Sequence, residues 1–200
     1  MKFLIRCAAL TLLSLANSWG ANFLKNINIT CDLNDPAAGL VLFSATTPIT
    51  GSASDPTGIW FHFNQVGRNS FSDQKAFITH EQLLKDVPSD FSNGFGRLYA
   101  LKLKAGEYEF KKWSFTQANP GERAVRTQSS SSSLSKLPFK VEPGKVIYLG
   151  SFVPSMVSNR ELTVSIADQG ERDTQVFTQK CPTINASNIE RRLIKSGVWN

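Results

Sequence analysis

The chain has 200 residues, of which 41% are hydrophobic and 14 are phenylalanine. This length suits one domain, and this apolar content can fill a buried core, so disorder of the whole chain is excluded. The formal charge of +6 falls to about +4 without the two cations of the first 20 residues. The remaining charges form no dominant run, so they permit attraction to an anionic surface but do not indicate nucleic-acid binding.

Residues 1–20 have the pattern of a secretory signal peptide. Lys2 and Arg6 precede the apolar run 7–15, and small residues stand before Ala21. The run is too short to span a bilayer as a helix. Cys7 precedes the run, whereas a lipid-attachment cysteine would follow it. We therefore expect cleavage and a secreted or periplasmic protein with no transmembrane helix in the mature chain.

Cleavage leaves two cysteines, Cys31 and Cys181. In an oxidising compartment the simplest interpretation is one disulfide, which ties the N-terminal arm (residues 21–38) to the C-terminal region. Closing a loop this long with a disulfide stabilises the fold by at most roughly 5 kcal/mol in the chain-entropy model. The alternative, a reactive pair or metal site, lacks a C-x-x-C spacing or a nearby histidine.

The first strands are predicted by apolar runs and alternation. Residues 39–45 (GLVLFSA) indicate a buried strand, and residues 59–64 (IWFHFN) alternate as a half-buried one. In the long connection 67–96, the capping-box spacing of Thr79 and Gln82 predicts one short helix over residues 79–86.

Residues 96–115 (GRLYALKLKAGEYEFKKWSF) predict a hairpin that turns at Gly106. The alternation of its second strand slips by one residue after Lys111. Either a β-bulge near Lys111 returns Trp113 and Phe115 to the core, or these two aromatic residues form an exposed apolar patch. The bulge is the simpler interpretation.

The Ser-rich stretch that includes residues 128–135 is predicted to be a solvated linker. Residues 137–153 (LPFKVEPGKVIYLGSFV) then predict a second hairpin around a type II turn with Gly144 at its third position, and residues 161–166 a last amphipathic strand.

Capping signals predict two helices after the strands. The first begins near Asp168 and ends before Pro182, and the second runs from Ser187 through Lys195. Strands followed by short helices indicate a mainly-β protein: a β-sandwich over residues 39–168, with a C-terminal helical tail (residues 169–200) packed on it.

The pairing of the 96–115 and 137–153 motifs resembles a group of uncharacterised secreted bacterial proteins and lipoproteins. A more distant likeness is to transthyretin-like and carboxypeptidase-regulatory-like sandwiches. The resemblance covers roughly residues 96–166 and implies a seven-strand Greek-key sandwich of Ig-like or transthyretin-like type. Its motifs are turn and core residues, so it implies no catalytic residues. Unlike the lipoproteins, this chain has no attachment cysteine after its apolar run.

The inventory of reactive residues is small. His62 is predicted at the surface or rim of its strand, and His80 lies in the predicted short helix but lacks the second histidine of H-E-x-x-H. No G-x-S-x-G elbow or Gly-rich phosphate loop occurs. We therefore expect no catalytic residues, no cofactor and no metal site.

Three functional hypotheses follow. The first is a non-catalytic binding or structural module whose partner is a protein or glycan of the cell envelope. The second is a cell-envelope hydrolase in which His62 or His80 bonds both a serine and a carboxylate. The third is peripheral contact with an anionic membrane or polysaccharide through Arg191, Arg192 and Lys195 of the predicted last helix.

Overall fold

The computed structural model describes residues 29–47, 58–67, 74–79, 89–92, 95–118, 125–129, 136–158, 161–194 and 197–199. The predicted signal peptide, the predicted helix beyond Thr79, His80, Lys195 and most of the Ser-rich stretch lie outside these ranges. The described residues form eleven strands, one α-helix and one short 3-10 helix. The mainly-β class is therefore confirmed.

The elements run in this order along the chain: β1 (Ala38–Thr47), β2 (Gly58–Gln65), β3 (Gln74–Thr79), β4 (Phe95–Lys104), β5 (Gly106–Ala118), β6 (Val125–Ser129), β7 (Leu137–Val141), β8 (Val146–Ser158), β9 (Glu161–Ala167), α1 (Gly170–Lys180), the 3-10 helix Ala186–Asn188, β10 (Ile189–Arg191) and β11 (Gly197–Trp199). Four of these strands, β3, β6, β10 and β11, have no counterpart among the predicted elements.

The strands form two sheets. Sheet 1 has the order β11-β9-β8-β1-β4, with β10 paired to the start of β8, and sheet 2 has the order β3-β2-β5-β6, with β7 paired to the start of β5. The β1–β8 and β10–β8 pairs are parallel, and the other strand pairs are antiparallel.

Both predicted hairpins are wrong in one respect. The strands of residues 96–115 form as predicted, but β4 pairs with β1 in sheet 1 while β5 pairs with β2, β6 and β7 in sheet 2. Likewise β7 belongs to sheet 2 and β8 to sheet 1. Each turn therefore carries the chain across the core. Alternation predicts a strand and its buried face, but it does not choose the neighbouring strand.

The two sheets face each other across an aromatic core. Phe43 and Phe152 of sheet 1 meet Phe110 of sheet 2 with ring centroids 5.6 and 4.9 Å apart, and Phe61 of sheet 2 lies 5.0 Å from Phe152. All four side chains are at most 1% exposed. Packing between aromatic rings at these distances adds to the burial energy of each ring.

The predicted bulge at Lys111 is confirmed. In the β2–β5 register His62 opposes Lys112 and Phe63 opposes Phe110, so Lys111 is the extra residue. Trp113 and Phe115 are 6% and 1% exposed and belong to the core between the sheets. The alternative of an exposed aromatic patch is therefore wrong.

The other face of sheet 1 is covered by α1 and by the chain on either side of the Cys31–Cys181 bond. Leu40, Leu42 and Leu98 of the sheet pack there against Phe177 of the helix. Ile184, which comes after the helix in sequence, belongs to the same cluster. Because β1 carries apolar residues on both faces, it is buried from Ala38 through Ala45, as its continuous apolar run predicts.

The predicted C-terminal helical tail is half correct. α1 ends at Lys180, just before Pro182, as predicted. The second predicted helix is wrong: Asn185 caps only a 3-10 turn, and β10 then adds to β8. A capping box of this kind stabilises a helix weakly, whereas an added strand gains the backbone hydrogen bonds of a buried neighbour.

Candidate functional site

The described residues contain two buried polar groupings. The first, the Asp173 cluster, consists of Ser44, Tyr148, Ser151, Arg172 and Asp173 and lies between α1 and sheet 1. The second, the His62 pair, consists of His62 and Ser114 on sheet 2.

The carboxylate of Asp173 is fully buried and accepts four hydrogen bonds. Its Oδ2 accepts from the Ser44 hydroxyl at 2.6 Å and from the Tyr148 hydroxyl at 2.9 Å. Its Oδ1 accepts from Nε and Nη2 of Arg172, at 2.9 and 2.7 Å. A buried carboxylate is tolerated when its lone pairs are filled and a cation pairs with it, and both conditions are met here.

Arg172 links this cluster to its surroundings. Its Nη2 also donates to Ser44 at 3.1 Å and to Ser151 at 3.4 Å, and its guanidinium carbon lies 4.1 Å from the centroid of the Phe91 ring. The side chain remains one-third exposed. The arginine thus closes the solvent side of the cluster, with an aromatic ring against its flat face.

A second bulge places two of the cluster residues. Ile147 and Leu149 of β8 face the core between the sheets while Tyr148 faces α1. The β1–β8 register then shifts, and Gly150 takes a positive φ of 118°. After this shift Phe152 faces the core and Ser151 faces Arg172. The single glycine inside an apolar strand run is the sequence signal for this bulge.

Tyr148 acts as a neutral donor. Burial, and next the negative charge of Asp173, raise the pKa of its hydroxyl well above its usual value. The same oxygen accepts from the backbone N–H of Gln169 at 3.2 Å, just before α1 begins. The Asp173 cluster therefore fixes the start of the helix on the sheet. No member of the cluster was predicted, because a buried helix Asp cannot be told from an exposed one by its sequence until the packing is known.

The His62 pair corrects a prediction. His62 was expected at the surface or rim, but it is 7% exposed, and its Nε2 lies 2.8 Å from the hydroxyl of Ser114, itself 9% exposed. Both side chains point away from the core because their neighbours in sequence point into it. A histidine nitrogen at this distance from a serine hydroxyl has the geometry of a base beside a nucleophile.

The basic residues of the tail do not form a cationic helix. Arg191 ends β10 and pairs with Asp168, and Arg192 pairs with Glu142 at 2.9 Å and with Glu190. The hydrogen bond from Arg192 lowers the pKa of Glu142, and the bond from Lys145 lowers that of Glu190. Lys195 lies outside the described residues. Arg191 and Arg192 thus each have a carboxylate partner within the fold.

The predicted disulfide is present. Cys31 and Cys181 are bonded, with their Cα atoms 5.3 Å apart and a sequence separation of 150. Cys181 is fully buried directly after α1, and Cys31 lies in the arm at the protein surface.

Within the described ranges, no group of three or more His, Cys, Asp or Glu side chains is arranged to hold a metal ion. In the same ranges no helix is both long and apolar enough to cross a membrane.

Comparison with known proteins yields one match. No protein-family model matches the chain, and no curated protein matches it. A leucine-rich repeat protein from Bacteroides thetaiotaomicron VPI-5482 is similar in structure over 71% of this chain and 16% of its own length, at 13% sequence identity and a TM-score of 0.32. A likeness at this level carries no argument about fold or function.

Proposed function

We propose that this chain is an exported, non-catalytic binding or structural module of the bacterial cell envelope. The observation that carries the export half is the disulfide between Cys31 and Cys181, because such bonds persist in oxidising compartments and are rare in the cytosol. The leader-like pattern of residues 1–20 and the resemblance to secreted bacterial proteins support the same conclusion.

The proposal of a non-catalytic role is supported by the hydrogen bonds and ion pairs that the polar side chains make within the fold. The Asp173 carboxylate accepts four hydrogen bonds from its own fold, and Arg191 and Arg192 are paired with carboxylates. Groups engaged in this way position backbone elements and offer little to a substrate. We further propose that the two sheets are built around a Greek-key sandwich of Ig-like or transthyretin-like type, whose seven strands would be a subset of the eleven described.

The test first asks whether the protein is exported and oxidised, and then whether it binds a partner in the cell envelope. The full chain is expressed in a Gram-negative host, and the envelope fraction is analysed by mass spectrometry with and without thiol alkylation. We expect a product that lacks about 20 residues and has no free thiol. The oxidised protein should then capture the same envelope protein or glycan in repeated pull-downs, and soluble protein should compete for it. A cytosolic product with free thiols would refute export, and irreproducible capture would refute the binding role.

One observation favours a second candidate, a serine hydrolase. The 2.8 Å contact between His62 and Ser114 supplies the serine partner that this hypothesis requires, and the carboxylate partner stays a prediction. A fluorophosphonate probe should label the native chain, and Ser114→Ala should abolish the labelling. Ser165→Ala on β9 is the matched control, because that exposed serine bonds only a neighbouring backbone carbonyl. No labelling of the native protein would exclude this candidate.

A further inference from the structure

The two ends of the disulfide lie in different surroundings. Cys181 is fully buried in the helix-side core, whereas Cys31 is exposed in the arm. The Sγ of Cys31 lies 3.6 Å from the backbone carbonyl oxygen of Lys180, which is itself an exposed residue. The rate of thiol–disulfide exchange depends on which sulfur is attacked and on access to that sulfur. An attack from solvent is therefore directed to Cys31.

The position of Cys181 is fixed by contacts that do not involve its sulfur. Its backbone N–H donates to the Phe177 carbonyl at 2.8 Å, and its own carbonyl accepts from Ile184 N–H at 3.0 Å. Lys180 holds the same end of α1 to residues 89–92 through its ion pair with Asp90, at 2.7 Å. Because these contacts remain when the disulfide is open, we expect the thiol of Cys181 to stay shielded in the reduced protein.

The charges around Cys31 do not oppose the approach of a negative thiolate. Asp32, the next residue of the arm, pairs with Lys102 at 2.7 Å, and Asp90 pairs with Lys180. An unpaired carboxylate at either position would repel an incoming anion, whereas a paired one largely does not.

The end of α1 makes Cys181 a poor leaving group. The last carbonyl groups of a helix carry partial negative charge, and burial in apolar surroundings also disfavours a thiolate. Cys181 directly follows the helix and is fully buried, so both effects act on it. A thiolate that is disfavoured leaves slowly. The closed bond therefore resists opening, and exchange is measured best from the reduced protein.

We propose that Cys31 is the exchange site of this protein: in the folded chain, small-molecule thiols and disulfides form mixed disulfides with Cys31, and Cys181 exchanges only with Cys31. In the closing direction the Cys31 thiolate attacks a small disulfide, a small thiolate leaves, and a mixed disulfide forms. Cys181 then loses its proton and attacks the Cys31 sulfur, and the second small thiolate leaves. Two electrons and two protons pass from the cysteine pair to the small disulfide, which is released as two thiols.

The first experiment lets the two thiols of one molecule compete. The wild-type protein is reduced with dithiothreitol, desalted without oxygen, and treated under native conditions with a limiting amount of N-ethylmaleimide. Peptide mapping by mass spectrometry gives the ratio of label on Cys31 to label on Cys181. We expect a ratio of at least about ten, because Cys181 reacts only when the fold opens locally. In urea, where both thiols are accessible, the ratio should fall to about one.

The second experiment uses the variants Cys31→Ser and Cys181→Ser with glutathione disulfide as the probe. The Cys181→Ser variant keeps Cys31 and should gain one glutathione quickly. The Cys31→Ser variant keeps Cys181 and should react at least about tenfold more slowly. The same two variants unfolded in urea are the control for intrinsic reactivity, and there their rates should be equal.

A native labelling ratio near one, or one that favours Cys181, would overturn the proposal, because the fold would then not shield Cys181 once the bond is open. Equal glutathione rates for the two folded variants would overturn it as well. If Cys31→Ser loses its near-ultraviolet circular dichroism signal, the labelling of the reduced wild-type protein decides alone. Neither measurement depends on export or on a binding partner, so this proposal and the proposed function are tested separately.

Discussion

Asp173 is the buried carboxylate that joins α1 to sheet 1, and Asp173→Ala tests whether it stabilises the fold. The substitution leaves two fully buried donors, the hydroxyls of Ser44 and Tyr148, without their acceptor. Each orphaned donor costs about 1–3 kcal/mol. Arg172 is one-third exposed and can turn to water, so losing its ion pair with Asp173 adds little to this cost. We therefore expect the free energy of unfolding to fall by about 2–6 kcal/mol.

Urea denaturation followed by tryptophan fluorescence measures this change. With an m-value of about 2 kcal/mol/M, a loss of about 3 kcal/mol moves the midpoint down by about 1.5 M. Glu171→Gln is the matched control, because Glu171 lies in the same helical turn but is exposed. It should move the midpoint by no more than a surface substitution does, within about 0.5 kcal/mol.

A double-mutant cycle with Tyr148→Phe separates the hydrogen bond from general disruption. The phenylalanine removes the donor that Asp173→Ala strands, so the double variant should be more stable than the sum of the two single losses predicts, by about 0.5–3 kcal/mol. Equal midpoints for Asp173→Ala and Glu171→Gln, or strict additivity in the cycle, would refute the reasoning.

Three further predictions concern the bond, the surface charges and the core. Replacing Cys31 and Cys181 together with Ala should lower the free energy of unfolding by up to roughly 5 kcal/mol in the chain-entropy model, and the melting temperature should fall with it. An unchanged melting curve would contradict this. The hydrogen bond from Arg192 lowers the pKa of Glu142 in the folded state. The carboxylate therefore contributes its full stabilisation above its ordinary pKa of 4.5, and this stabilisation is lost as the pH falls through the lower folded pKa. The melting temperature should drop more with acid in the wild type than in Glu142→Gln. Deleting Lys111 removes the extra residue and restores strict alternation, so Trp113 and Phe115 stay in phase with the core and unfolding should remain cooperative in calorimetry, as it should in Lys111→Ala; loss of the cooperative transition in the deletion variant would contradict this assignment of the bulge.

The strands of this protein could be predicted where side chains alternate and turns are marked. The bulge at Lys111 was predictable because a slip in an aromatic pattern has few physical remedies, and the disulfide because two cysteines remain after the predicted leader. β3 and β6 could not be predicted in the same way, since neither short segment shows a clear apolar alternation and the pairing of each comes from its neighbour, β2 or β5. Propensity in such strands is weak beside the hydrogen bonds of an existing sheet edge.

The amino-acid sequence by itself determined the core-facing residues of the strands that alternate clearly, where the chain turns, and which two cysteines meet. These features depend on local periodicity, backbone freedom at glycine, and composition. Only the tertiary structure decided that each predicted hairpin crosses between sheets, that Asp173 is buried, and that His62 meets Ser114. Those outcomes depend on which strand lies beside which, and that choice is made by packing among residues far apart in the sequence, whose energies no local pattern contains.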